Sequence, residues 1–113
     1  HEVLFDDRFL NDTGVTTLDF AKAMIDEGFH PMTMYFPLVV HGALLMEPTE
    51  TESKATLDEF VGVIRSLAEK AQTGNAEDFK QAPIYTPRRR LDETMAARNP
   101  VLTYKPDQAA AAE

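Results

Sequence analysis

Cysteine is absent from this 113-residue sequence, and its five glycines, Gly14, Gly28, Gly42, Gly62 and Gly74, stand isolated from one another. The first absence excludes a disulfide scaffold, a cysteine-based zinc site and a thiol nucleophile, while saying little about compartment. The second excludes a glycine-rich phosphate loop. Long apolar runs are also missing. The nearest approach, Phe36 to Met46, is broken by Pro37, His41 and Gly42 and is too short to span a bilayer, so no membrane partner is expected. The opening His1-Glu2-Val3-Leu4-Phe5 has no initiator Met and no basic region ahead of an apolar run. It does not read as a secretory signal, but as a cut through a longer chain.

Positive charge is scarce in one half only. Residues 1–53 carry ten acidic side chains against Arg8 and Lys22, whereas residues 54–113 carry nine of each sign, so the net charge of −8 belongs to the first half. A polyanion would be repelled there, which argues against nucleic acid. The one basic cluster, Arg88-Arg89-Arg90, is followed at once by Asp92 and Glu93 and reads as a solvated or interface face.

What the chain does contain is enough for one domain with a real core. Hydrophobic residues make up 43%, with seven Phe and three Tyr, and a chain of this mass buries roughly two thirds of its extended surface on folding. Glu2 to Phe5 reads as a short strand. From Thr17 the period becomes helical, with Leu18, Ala21, Met24 and Ile25 on one side, Thr16 or Thr17 as cap and Asp19 in the first turn. Gly28 ends that helix, and Phe29 is placed to fold back on Met24 or Ile25.

His30 to Pro37 cannot be a helix interior, because Pro31 and Pro37 remove donors and bias their predecessors toward extended backbone. Leu38-Val39-Val40 and Ala43 to Met46 read as strand-like pieces on either side of a bend at His41-Gly42. Two or three short strands, forming a small antiparallel sheet, are expected. A long helix is expected next, its start marked by Thr49-x-x-Glu52 as a capping box. Its apolar stripe runs Leu57, Phe60, Val61, Ile64, Leu67, Ala68 and Ala71. Gly74-Asn75 stops it, and a short turn of helix over Glu77 to Gln81 follows. Ile84-Tyr85-Thr86 reads as β-like between two prolines, Leu91 to Arg98 as a last helix, and Val101 to Tyr104 as a final extended piece. Residues 1–104 are expected to form the domain and 105–113 a fraying tail.

The residues that could carry chemistry each have a plain structural reading. His1, His30 and His41 are too scattered for a metal site, and His30, in a rigid loop, is the best placed to meet a ligand. Glu47, Glu50 and Glu52 crowd around Pro48. They could act as acid, base or binding groups, or simply as favourable charges at a helix start. No Ser, Thr or Lys stands in a recognisable nucleophile arrangement.

Several motifs together resemble one family. Thr17-Leu18-Asp19, Gly28-Phe29-His30-Pro31-Met32-Thr33, Tyr35-Phe36-Pro37-Leu38 and Glu47 to Ser53 resemble the C-terminal part of the glycine cleavage system P-protein, the pyridoxal-phosphate-dependent glycine dehydrogenase (decarboxylating), in its separate-subunit form, subunit 2. Thr86-Pro87, Arg89 to Glu93 and Ala96-Ala97-Arg98 are similar to the end of the same subunit.

The resemblance implies the small C-terminal domain of a fold-type-I pyridoxal phosphate enzyme: an α+β unit with a small antiparallel sheet and helices packed on one side. It implies a complete enzyme that decarboxylates glycine and passes the aminomethyl group to the lipoyl arm of the H-protein. Subunit 1 and a second copy of subunit 2 would be its partners, and the cytoplasm its place.

The cofactor and its aldimine lysine would belong to polypeptide upstream. None of Lys22, Lys54, Lys70, Lys80 or Lys105 has a matching context, and the stretch alone is expected to be inactive. His30, Thr33, Tyr35, Glu47, Thr49 and Glu50 become candidates for the wall of the active-site cleft or for a subunit interface. The alternative is a free-standing α+β interaction domain that binds a partner through the Met32 to Leu38 surface.

Overall fold

A computed structural model describes residues 1–103. The expected tail at 105–113, and the last residue of the expected extended piece, Tyr104, lie outside the described residues. The architecture is α+β, as expected. Strand β1 (Val3–Phe5) leads through a single 3-10 turn (Arg8–Leu10) to helix α1 (Thr17–Asp26). Strands β2 (Thr33–Met34) and β3 (Leu44–Met46) follow, then helices α2 (Lys54–Gln72), α3 (Ala76–Gln81) and α4 (Glu93–Arg98). The sheet is antiparallel in the order β1-β3-β2, in register Phe5–Leu44–Met34 and Leu4–Leu45–Thr33. Because side chains alternate along a strand, Leu44 and Met46 point together into the core while Leu45 points away. The core of α1, α2 and α3 side chains gathers on the Leu44 face.

Helix α1 forms where its signals predict. The Thr16 hydroxyl accepts from the Asp19 amide (3.1 Å), and the Asp19 carboxylate accepts from the Thr16 amide (3.0 Å), a reciprocal capping box. At the other end Gly28 takes φ +85°, its amide donates to the Ile25 carbonyl (3.0 Å), and the Phe29 amide donates to that of Met24 (3.1 Å). This pair of bonds stops the helix and turns Phe29 back over the core. Phe20 is fully buried between Phe9 (ring centroids 5.2 Å apart, edge on) and Phe79 (6.3 Å, stacked). Burial of a side chain of this kind stabilises by about 1.5–3 kcal/mol.

Four expectations need correction. Leu38 to Val40 is a turn rather than a strand: the Val40 amide donates to the Pro37 carbonyl (3.0 Å), and left-handed backbone at Tyr35 and Gly42 breaks the extended chain on both sides. Thr33–Met34 occupies the strand position beside β3 instead. The cap of helix α2 lies four residues beyond Thr49, at Ser53, whose hydroxyl accepts from the Thr56 amide (3.1 Å), so that the helix begins at Lys54.

Val61 lies half-exposed because the buried line of α2 runs through Phe60, Val63, Ile64, Leu67 and Ala71. At about 100° per residue Val61 sits roughly 120° from Leu67, at the stripe's edge. Ile84 to Thr86 forms no strand. The Ile84 and Tyr85 amides donate to the Asp26 carboxylate (2.8 and 3.0 Å), which satisfies them without a ladder. The short helix after Gly74-Asn75 and the last helix are both present.

Candidate functional site

The chain reversal at Gly28 brings His30 to Thr33 alongside the end of β3 and the start of α2, and these three segments enclose an open cleft of about 470 Å³. Pro31 keeps the first segment extended. On the third side, the Thr49 amide donates to the Glu47 carbonyl (2.9 Å) and the Glu52 amide to the Thr49 carbonyl (3.1 Å), a compact turn that delivers Ser53 as the cap of α2. Phe29 and Phe60, edge to face at 5.4 Å, make the apolar floor with Met32 and Leu57. His30, Thr33, Glu47, Glu52 and Thr56 supply the polar groups.

Three of the six candidate residues, His30, Thr33 and Glu47, therefore meet in one place although Thr33 and Glu47 are far apart in sequence. Thr49 and Glu50 lie on the adjoining turn and do not line the cleft; the Thr49 hydroxyl is 3.1 Å from that of Thr51. The lining carries two carboxylates and an imidazole but neither Lys nor Arg. Such a surface suits an amine or other cationic group and an apolar moiety beside it. It does not fit pyridoxal phosphate, whose phosphate calls for cationic or amide donors and whose aldehyde calls for a lysine.

Tyr35 is elsewhere. It holds left-handed backbone (φ +60°), and its hydroxyl accepts from the Leu18 amide (3.2 Å), one of the free amides at the start of α1. It borders a smaller depression with Asp7 and His41, whose Nδ1 is 2.9 Å from Asp7 Oδ1. The hydrogen bond to Asp7 and that residue's charge raise the His41 pKa above the ordinary histidine value. Nothing in the sequence announced this pair, since its members are 34 positions apart. Gly42 holds the clue in hindsight: a Cβ there would lie 2.1 Å from Asp7 Cγ, so the residue after His41 must be glycine for the carboxylate to approach.

The basic cluster is more than a solvated face. Arg90 donates to the Ala82 (2.7 Å) and Phe79 (2.8 Å) carbonyls and pairs with Asp19 (2.7 Å), and Arg89 donates to the Gln81 carbonyl (2.8 Å). Burial of Asp19 would raise its pKa, but hydrogen bonds from Thr16 and Arg90 outweigh burial and hold the carboxyl below its ordinary value. Arg90 thus locks the segment after α3 onto the start of α1. Among the described residues, no three His, Asp or Glu side chains converge as a metal cluster, and no helix is long and apolar enough to cross a membrane.

These features define a small α+β domain with a cleft of mixed polarity on one side and an uncovered apolar sheet end on the other. The family described as "Glycine dehydrogenase, C-terminal domain" matches residues 1–85, and the chain belongs to that family. It is 69% identical over 110 residues to a probable glycine dehydrogenase (decarboxylating) subunit 2 of Caulobacter vibrioides, covering 97% of this chain and 21% of that protein. It is 50% identical over 106 residues to the subunit of the same description in Fervidobacterium nodosum (93% and 22%), and 48% identical over 106 residues to that of Pyrococcus horikoshii (93% and 21%). The chain spans about a fifth of the length of these relatives.

Proposed function

We propose that residues 1–104 are the C-terminal domain of a pyridoxal-phosphate-dependent subunit that decarboxylates glycine and hands the aminomethyl group to the lipoyl arm of the H-protein, with 105–113 as its tail. The observation that carries this reading is identity of 69% across 97% of the chain to a protein described as a decarboxylating glycine dehydrogenase subunit. The description "subunit 2" supports assembly with a subunit 1 and a second subunit 2. In this reading the enzyme works in the cytoplasm.

Pyridoxal phosphate, where bound, supplies an electron sink for the carbanion left when carbon dioxide departs. The cleft lining, without Lys or Arg, supports placing that cofactor on the preceding polypeptide and leaving the isolated domain inactive. His30, Thr33 and Glu47 form a wall of the active-site cleft, with Thr49 and Glu50 on the turn that positions Glu47, while Tyr35 serves an interface. A carboxylate and an imidazole beside an apolar floor orient an amine-bearing substrate and keep water from the reacting carbon.

In the complete enzyme Glu47→Gln is expected to slow glycine-dependent carbon dioxide exchange by roughly tenfold or more, with the melting temperature changed by less than about 2 °C. Unchanged exchange with a large loss of melting temperature would return Glu47 to a structural role.

A further inference from the structure

Among the described residues, the end of the sheet beside the start of α1 carries large apolar side chains that are exposed to solvent. Phe5, in the last row of β1, and Tyr35, Phe36, Leu38 and Val39, in the connection between β2 and β3, all face solvent, Leu38 at 80% and Val39 at 92% of full exposure. Large apolar side chains in such a cluster mark a contact surface.

This surface is held in shape from four sides. The Tyr35 amide donates to the Ala43 carbonyl (2.8 Å), the Thr17 hydroxyl to the Gly42 carbonyl (3.0 Å) and the Leu18 amide to the Tyr35 hydroxyl (3.2 Å), and His41 is tied to Asp7 (2.9 Å). A loop presented in a fixed form loses little entropy when it is covered.

We propose that the polypeptide preceding residue 1 in the same subunit docks on this apolar sheet end. The inference rests on the reading of the chain as the C-terminal domain of a longer subunit, and it goes further by naming the surface and its occupant. The matched stretch accounts for 21–22% of the relatives' length, and the family description puts it at the C-terminal end, so most of such a subunit comes before it. In the order β1-β3-β2 the strand β1 is an edge, its outer side unpaired among the described residues, and it starts at Val3. Preceding polypeptide therefore enters at Val3, paired with Met46, two residues before Phe5, and is covalently tethered to the same three-residue strand. A tethered segment meets this surface at high effective concentration, whereas a separate copy or another subunit must first lose translational and rotational freedom.

The test uses the complete subunit in its native assembly, prepared as an equal mixture of unlabelled and uniformly heavy-isotope chains, with a benzophenone amino acid in place of Leu38. After irradiation, cross-linked peptides that join position 38 to sequence upstream of residue 1, with both halves carrying the same isotope, are expected. Mixed-isotope pairs would mean a second copy, and pairs with another subunit would mean a different partner; either result overturns the proposal. A complete native chain with no upstream domain would instead overturn the underlying family reading, and its intact mass alone would reveal this.

A Val39→Cys variant guards against misfolding of the first, since it introduces the only cysteine within residues 1–113. Its alkylation in the native subunit is expected to be at least about tenfold slower than in the unfolded chain. Equal rates would sink the proposal.

Discussion

The two ends of this domain use apolar side chains in opposite ways. Around α1 and α3, Phe20, Met24 and Phe79 are at most 1% exposed, and the start of α1 is closed by the Thr16–Asp19 capping box with Asp19 paired to Arg90. At the β2–β3 connection, Leu38 and Val39 are left in solvent by a backbone that four hydrogen bonds hold in place. The first set packs the domain internally. The second set makes sense only when something else covers it, so hydrophobicity in this sequence serves internal packing at one end and external contact at the other.

The contrast breaks if a packed and an exposed residue prove equally important for stability. Phe20→Ala is expected to destabilise the 113-residue chain by about 3–5 kcal/mol, from the lost ring contacts and the cavity left behind. Leu38→Ala is expected to stay within about 0.5 kcal/mol. Chemical denaturation of the two variants measures both.

Arg90→Ala sharpens the account of the packed end. It removes the partner of a nearly buried Asp19 and two carbonyl contacts, and a loss of about 1.5–3 kcal/mol is expected from hydrogen bonds to charged groups. The pH dependence gives the same contrast with opposite signs. The lowered Asp19 pKa contributes stability that is present above the ordinary aspartate value and is lost as pH falls through the folded-state value; Asp19→Asn should remove that acid limb from a stability–pH profile. The raised His41 pKa contributes below the ordinary histidine value and is lost as pH rises through the folded-state value, so His41→Gln should flatten the profile on that side only.

The smallest expected effect separates two candidate caps. Ser53→Ala should cost about 1 kcal/mol in unfolding free energy because the Thr56 amide loses its acceptor. Thr49→Ala should stay within about 0.5 kcal/mol. Equal losses would mean that the first turn of α2 reaches back to Thr49.

Local chemistry in the sequence accounts well for α1. Thr16 and Asp19 are three residues apart, Gly28 and Phe29 follow the last turn, and each signal needs only its near neighbours to act. Where two local signals compete, as Thr49-x-x-Glu52 and Ser53 do at the start of α2, the outcome depends on which residue the turn at Glu47 to Glu52 delivers against the core, and spacing cannot choose. Leu38 to Val40 misleads for a related reason. Its β-prone side chains describe a strand, but the place beside β3 goes to Thr33–Met34 and the left-handed Tyr35 and Gly42 leave the run as an apolar turn.

The candidate site divides in the same way. The run Gly28 to Thr33 and the Glu47 turn were legible as unusual segments, and His30, Thr33 and Glu47 do line one cleft. That Tyr35 belongs with Asp7 and His41 instead was not legible, because their proximity comes from the pairing of β1 and β2 on either side of β3.

By itself the sequence determined the two ends of α1, the extended backbone around Pro31, the acidic first half and membership of the family, all of which depend on residue type and short-range spacing. Only the tertiary structure decided that Arg90 closes onto Asp19, that His41 meets Asp7, and that Leu38 and Val39 remain outside the core. These are pairings across 34 or more positions or vacancies in packing, and they exist only once the strands and helices have been brought together, because short-range spacing carries no information about which distant groups will share a face.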